Sequence, residues 1–351
     1  MNDIETLSCR IRWLCGTTEV ADYHLLGALY DLTGSDRRKH QIMQTLAWQL
    51  NLRRNWATLQ KAFQEAGIQV VLLKGLRWSD SLFPFPWLRP TGDLDVLVCA
   101  EDVQRASNLL KEIGAKPDDS RIDGGGAAQE HFHFCFRYED SGPPVLVELH
   151  WQISDPRDIQ LPDDILWANV EERQDDYVVN YEIDLLLACI HAYRHGFSPY
   201  RTIVDVERMI ALRSEQIQWG RFWELANQAQ AKRLVAFVLY LSARHLVFTL
   251  PMGAQPFGRF QRIWLSGVVL LFPPKILLKH ARFYPVFMLF TVLVTGTWPG
   301  AERLFRNFLI PDPETLVHLY GVDHTNHRQL CLAYLRHPFS ILRKHLFSSH
   351  K

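Results

Sequence analysis

Asp93 and Asp95, in Gly92-Asp93-Leu94-Asp95, are the residues of this chain best suited to chemistry. Alternate residues of a strand project from one face, so the two carboxylates converge, while Leu94, Val96 and Val98 point the other way and anchor the strand. Converging carboxylate oxygens hold hard divalent cations. Two such ions roughly 3.5–4 Å apart neutralise phosphate charge and align a nucleophile, which is what phosphoryl and nucleotidyl transfer require. Gly92 leaves room for a phosphate or a backbone to approach. Taken alone, Asp-x-Asp is short, and at a strand edge it is usually just solvated.

A third carboxylate strengthens the pattern. In Val145-Leu146-Val147-Glu148-Leu149-His150-Trp151, alternation puts Val145, Val147, Leu149 and Trp151 on one face and Glu148 and His150 on the other. A charge set among such neighbours is costly unless something meets it, which makes Glu148 the expected third metal ligand. His150 could hydrogen-bond the ligating carboxylates; a core histidine beside Trp151 fits the pattern equally well. Arg89, four residues before Asp93, could clamp a triphosphate or pair with Asp80 or another nearby carboxylate.

Other polar residues carry weaker signals. His131 and His133 share the polar face of a further strand, as one wall of a site or as a solvated face. His191 and His195 stand one helical turn apart, a zinc-compatible spacing, but no Glu follows His191 and no third ligand is evident. Asp205 could cap its helix or pair with Arg201 or Arg208.

The elements that must position these residues follow from periodicity. Residues 1–66 read as helical, with Gly67 as the stop. Val70-Val71-Leu72-Leu73 is a buried strand ended by Lys74-Gly75, followed by a short helix and a loop marked by Pro84, Pro86 and Pro90. A strand at 93–98, a helix at 102–113, a Gly124-Gly125-Gly126 connection and a strand hairpin at 131–138 and 145–151 complete a four-strand α/β unit. Beyond residue 161 strand signals mostly vanish, and 183–195, 202–213, 219–229 and 234–246 read as helices.

Composition sets outer bounds. The chain has 351 residues, 48% hydrophobic and 22% charged, enough to bury a large core. Lys+Arg and Asp+Glu balance at 38 each, so no global field draws the protein to nucleic acid, and a nucleic-acid partner is not implied. Six scattered cysteines without a Cys-x-x-Cys pair suit a reducing cytoplasm. Met1-Asn2-Asp3-Ile4-Glu5 is acidic and lacks the basic and apolar regions expected of a signal peptide, and the apolar stretch at 283–298 is interrupted by Pro285 and Gly296 and falls short of the ~20 residues of a spanning helix. Its aromatic neighbours Phe272, Phe283, Tyr284, Phe287 and Phe290, with the basic Arg336, Arg343, Lys344 and Lys351, could still make peripheral membrane contact; core packing is the commoner use of such residues.

The motifs Leu72-Leu73-Lys74-Gly75, Arg89-Pro90-Thr91-Gly92-Asp93-Leu94-Asp95-Val96-Leu97-Val98 and Val147-Glu148-Leu149-His150-Trp151 occur in one order over about residues 65–155. Together they resemble the uncharacterised nucleotidyltransferase family of the DNA polymerase β-like nucleotidyltransferase superfamily, and His191 and Asp205 fall where that family tends to carry a His and an Asp. The resemblance implies an α+β fold: a helical segment at 1–66, a small polymerase-β-like palm with a mixed sheet at 67–160, and a helical region at 161–351. It implies transfer of a nucleoside monophosphate from an NTP, ATP above all, to a hydroxyl of a small molecule, sugar or protein, with pyrophosphate released. Asp93, Asp95 and Glu148 would bind two Mg²⁺ ions, or Mn²⁺ instead, with Glu148 the third ligand or the base for the acceptor hydroxyl. Lys74, Gly75, Arg89 and Gly92 would bind nucleotide, and His150 would support the ligands. The superfamily's usual Gly-Ser is Lys74-Gly75 here, so a lysine charge and helix N-terminal amides would take its place. The competing expectation is a catalytically inactive nucleotide-binding or adaptor module, at a membrane surface in polysaccharide biosynthesis. A kinase finds no support, since there is no Gly-x-x-x-x-Gly-Lys-Ser/Thr loop.

Overall fold

Helix α1 (Asp36–Glu65) places Leu52, Leu59 and Phe63 on one buried face and Lys61 and Glu65 in solvent. The computed structural model describes residues 36–118, 133–140, 142–153, 159, 161–173, 176–195, 197, 201–255, 257–269, 313–323 and 326–347. The early helical residues Ile11 to Leu29, Cys9, Cys15, the Gly124-Gly125-Gly126 connection, His131, the aromatic residues at 272–298 and Lys351 lie outside the described residues. After α1, Gly67 takes φ +63°, a left-handed conformation that glycine adopts without penalty, and the helix stops there as its sequence suggested.

The chain then builds a sheet and its covering helices. In order come β1 (Val70–Leu72), α2 (Gly75–Leu82), β2 (Asp93–Val98), α3 (Val103–Glu112), β3 (Lys116–Pro117), β4 (His133–Tyr138), β5 (Val145–His150), α4 (Asp163–Trp167), β6 (Val170–Arg173) and β7 (Asp176–Val179). The seven strands form one mixed sheet in the order β3-β4-β5-β2-β1-β7-β6. Central β2 pairs antiparallel with β1 and parallel with β5, and β4 runs antiparallel to β5.

The sheet is larger than the four strands expected. β7 joins β1 in parallel and carries β6 to the edge, beyond residue 160. β6 reads Val170-Glu171-Glu172-Arg173, charged and mostly exposed, so it has no apolar alternation to betray it. Such charge suits an edge, because it discourages further strand pairing.

Five helices with long apolar runs follow: α5 (Tyr181–Arg194), α6 (Arg201–Arg213), α7 (Trp219–Gln228), α8 (Lys232–Leu246) and α9 (Arg259–Val269). The first four start and stop within two residues of the expected limits. Asn180 caps α5, its side chain accepting from Ile183 N at 3.0 Å. α5 is buried on most sides, through Ile183, Leu185, Leu186, Ala188, Cys189 and Ala192, and so serves as a central helix rather than a surface one. Farther on, α10 (Pro313–Tyr320) and α11 (His327–Phe347) pack together around Leu316, Leu330 and Ala333.

Two cores lie on opposite faces of the sheet. Val70, Leu72, Leu94, Val96, Val147 and Leu149 meet α1 and α3 on one face. Val71, Leu73 and Leu97 meet α2 and α5–α8 on the other. On this second face Asp184 of α5 is fully buried and receives Arg77, Trp78 Nε1 at 2.7 Å and Arg213 at 2.8 Å, which ties α2, α5 and α6 together. Among the described residues no helix is long and apolar enough to cross a membrane.

Candidate active site

The parallel register of β2 and β5 sets Asp95 opposite Glu148 and Leu97 opposite His150. Facing residues on neighbouring strands share one side of the sheet, about 4.8 Å apart. With the alternation within each strand, Asp93, Asp95, Glu148 and His150 therefore all lie on the face that looks toward α5. The donor atoms of Asp95, Glu148 and His150 fall within 4.8 Å of one another. His150 Nε2 lies 3.1 Å from Asp95 Oδ1 and 3.4 Å from Glu148 Oε2. Lys74, at the turn from β1 into α2, sets its ammonium on the same Asp95 oxygen. Asp93 stands apart from this tight group, half-buried, with Thr91 Oγ1 donating to its Oδ1 at 3.3 Å.

Charge explains the arrangement. Burial penalises the Asp95 carboxylate, but Lys74 and the His150 hydrogen bond outweigh that and hold it well below the usual carboxylate range. Burial also opposes the Lys74 ammonium, and the carboxylates of Asp95, Asp93 and Glu148 outweigh it and push its pKa up. Burial opposes both the charged His150 and the charged Glu148, yet His150 is raised by its two carboxylate partners and Glu148 is lowered by its hydrogen bond with His150. Asp93 goes the other way: burial and the neighbouring Asp95 charge push it up to about 6, with Lys74 opposing. Burial and His150 push His133 down to about 4.

Gly75 is required by geometry. It has φ +53°, and an added Cβ would lie 3.0 Å from Thr91 Oγ1 and 3.6 Å from Asp95 Oδ2. Gly75→Ala is expected to destabilise the protein by about 2 kcal/mol through backbone strain and crowding, read as a lower midpoint in thermal unfolding. An unchanged midpoint would mean that the loop yields freely. Gly92, by contrast, is exposed and has open space where a Cβ would go.

Arg89 does not reach the carboxylate cluster. Its guanidinium is buried against Asp205 of α6, with Nε–Oδ1 2.7 Å and Nη2–Oδ2 2.9 Å, and its Nη1 donates to Gly75 O at 2.8 Å. Asp80, the partner considered from sequence, pairs with Arg53 instead, and Asp205 pairs with neither Arg201 nor Arg208. The proline-rich loop around Arg89 is strapped down by α1: Trp48 Nε1 donates to Thr91 O, and Gln49 Nε2 donates to Pro86 O and Arg89 O, at 2.8–3.0 Å.

A cavity of about 230 Å³ opens beside the cluster. Lys74, His133, Glu148 and His150 line its sheet side, and His191 of α5 and His195, just past the end of that helix, its helical side. The His191 and His195 rings lie with centroids 4.4 Å apart, and burial and the Lys74 charge push His191 well below its ordinary range. Sequence spacing paired these two histidines but could not set them across a cavity from Glu148, because that placement is made across the fold. Alternation in β4 already places Cys135 on the face of His133, but nothing in the sequence assigns it a role. Register places it opposite Glu148.

The donor set fits a divalent cation. Asp95, Glu148 and His150 offer ligand atoms within 4.8 Å of one another, Asp93 adds a third carboxylate nearby, and the half-buried Lys74 sets a positive charge against Asp95. Among known proteins, the family model described as an uncharacterised nucleotidyltransferase matches residues 37–247, from α1 to just past α8. No curated protein and no solved structure matches the chain.

Proposed function

Since the chain belongs to the uncharacterised nucleotidyltransferase family, we propose that it moves a nucleoside monophosphate from an NTP, ATP above all, to a hydroxyl of a small molecule, sugar or protein. The observation that carries this reading is the register that sets Asp95 against Glu148, two residues on from Asp93, on one buried face beside Lys74. Asp93, Asp95 and Glu148 would hold two Mg²⁺ ions, or Mn²⁺ in their place. Bound there, Mg²⁺ would neutralise the triphosphate and the departing pyrophosphate.

The chain's own residues supply the rest. Lys74 brings a point charge to the mouth of the cluster, where phosphate oxygens would meet it. His150 orients Asp95 and Glu148 through its ring nitrogen. Arg89, held by Asp205, positions the Gly75 backbone rather than the nucleotide. Glu148, which faces both the carboxylates and the cavity, serves either as the third metal ligand or, in that ligand's place, as the base that takes the proton of the acceptor hydroxyl; in the first case the proton leaves to solvent. The acceptor oxygen then bonds to the α-phosphorus as the bond to the β-phosphate oxygen breaks, and pyrophosphate departs. A cytoplasmic setting goes with this use of NTP.

One observation favours a second reading, a nucleotide-binding module without catalysis: the Lys74 ammonium already occupies the Asp95 oxygen that a metal would need. NTP labelled at the α-phosphate separates the two. Transfer of α-label to an acceptor with release of pyrophosphate is the expected result. Metal-dependent NTP binding by calorimetry without product, over a broad acceptor panel, would establish the module and refute transfer. Transfer of label from γ-labelled NTP in a parallel assay would make the protein a kinase and refute both.

A further inference from the structure

Glu148 is shared between two sets of neighbours. On one side stand Asp95 and His150, and on the other β4 brings Cys135 directly opposite Glu148 and His133 opposite His150. The His133 ring nitrogen, the Cys135 sulfur and a Glu148 carboxylate oxygen all lie within 4.8 Å of one another, and all three residues are half-buried on the same face of the sheet. His133 and Cys135 are two residues apart on one strand, so alternation fixes them side by side, and the antiparallel register supplies the third donor.

Nitrogen, sulfur and carboxylate oxygen together are a poor set for Mg²⁺, which takes oxygen ligands and water. They match Zn²⁺, which is held by Cys, His and Asp/Glu and in its reactive sites uses three protein ligands with a fourth position left open. We propose that His133, Cys135 and Glu148 form a second metal site that binds one Zn²⁺, and that this ion competes with Mg²⁺ for Glu148. Cys135 loses its thiol proton to solvent on binding. The competition rests on the proposed nucleotidyl transfer; the zinc site does not.

The test uses the full chain. Zn²⁺ is titrated against a chromophoric chelator for the wild type and for Cys135→Ser, His133→Ala and Asp93→Asn, and Co²⁺ is added to each in place of zinc. One Zn²⁺ per chain is expected for the wild type and for Asp93→Asn. Loss of a direct ligand in Cys135→Ser or His133→Ala is expected to cost no less than the roughly 100-fold that changes behind the ligands reach. The Co²⁺ form of the wild type is expected to show thiolate-to-metal charge transfer in the near ultraviolet, and Cys135→Ser to lack it. Because the cobalt spectrum is read on the wild type, a variant that fails to fold does not shield the idea.

Wild-type cobalt without the thiolate band overturns the proposal. So does zinc affinity that survives Cys135→Ser but falls with Asp95→Asn, which would place the ion among Asp95, Glu148 and His150. Zinc binding retained in a chain with no transfer activity refutes the transfer reading alone. Transfer that is present and indifferent to bound zinc refutes the competition.

Discussion

Asp95→Asn is expected to lower nucleotidyl transfer by roughly a thousandfold or more, the equivalent of about 4 kcal/mol of transition-state charge stabilisation from a bound cation. The same substitution is expected to destabilise the fold. The Asp95 side chain is 1% exposed and meets both the Lys74 ammonium and His150 Nε2. An asparagine keeps the shape but leaves Lys74 beside a neutral amide. Removing one partner of a buried ion pair costs about 3–5 kcal/mol. Lys74 is 17% exposed and keeps some access to water, so the lower end is expected. α-Labelled NTP transfer and urea denaturation read the two effects, and undiminished transfer in the variant would sink the metal-site mechanism.

Asp93→Asn separates the two effects. It is expected to cost comparable activity while leaving stability unchanged or raising it by about 1 kcal/mol, because Asp93 carries a charge its surroundings disfavour. With burial and Asp95 holding its pKa up to about 6, the folded chain binds a proton more readily than the unfolded one. The sign follows from linkage: between about pH 4 and 6 the folded state holds more protons, so wild-type stability falls as pH rises through that window. Measured with a chelator present, the advantage of Asp93→Asn is expected to be absent near pH 4, to grow to pH 6 and then to level off. An advantage that is largest in acid would show that the Asp93 charge is welcome in the fold.

Much of the geometry of this candidate site is legible in the sequence. Residues two apart on a strand must share a face, so Asp93 with Asp95, and Glu148 with His150, were readable as pairs from alternation alone. The joining of the two pairs depends on β2 and β5 being adjacent and parallel, and on a register of one residue in particular. Nothing local to either strand fixes that. The Arg89–Asp205 pair spans 116 positions and the His191 wall of the cavity comes from α5, so both are products of packing. Periodicity found α5 to α8 because their apolar residues are numerous, and it missed β6 because an edge strand of Glu171, Glu172 and Arg173 has no core face to reveal. Lys74 was legible as a cation near phosphate. Its seat on Asp95 was not, since it requires β1 and β2 to be neighbours.

Asp205→Ala is expected to cost about 3–5 kcal/mol, because it leaves the Arg89 guanidinium charged, buried and short of its carboxylate. The pair is bidentate, with side chains 2% and 1% exposed, and the guanidinium also lies 5.1 Å from the centre of the Trp78 ring. Arg89→Ala is expected to cost at least as much, since it strands Asp205 and also deprives Gly75 O of its donor. Arg89→Lys is expected to recover little, because a single ammonium cannot reproduce the fork. The double change Arg89→Met with Asp205→Leu leaves no charge behind and is expected to be more stable than either single truncation, which a double-mutant cycle in urea measures as coupling. Simple additivity would mean that the two groups act independently despite their geometry. The double variant also decides between the two roles open to Arg89. A residue that only positions Gly75 leaves the KM for NTP nearly unchanged once the fold is restored. A triphosphate clamp raises that KM about tenfold or more, as the loss of a charge-assisted bond worth 1.4 kcal/mol or more requires. With all three of its hydrogen bonds made inside the fold, Arg89 is expected to follow the first course.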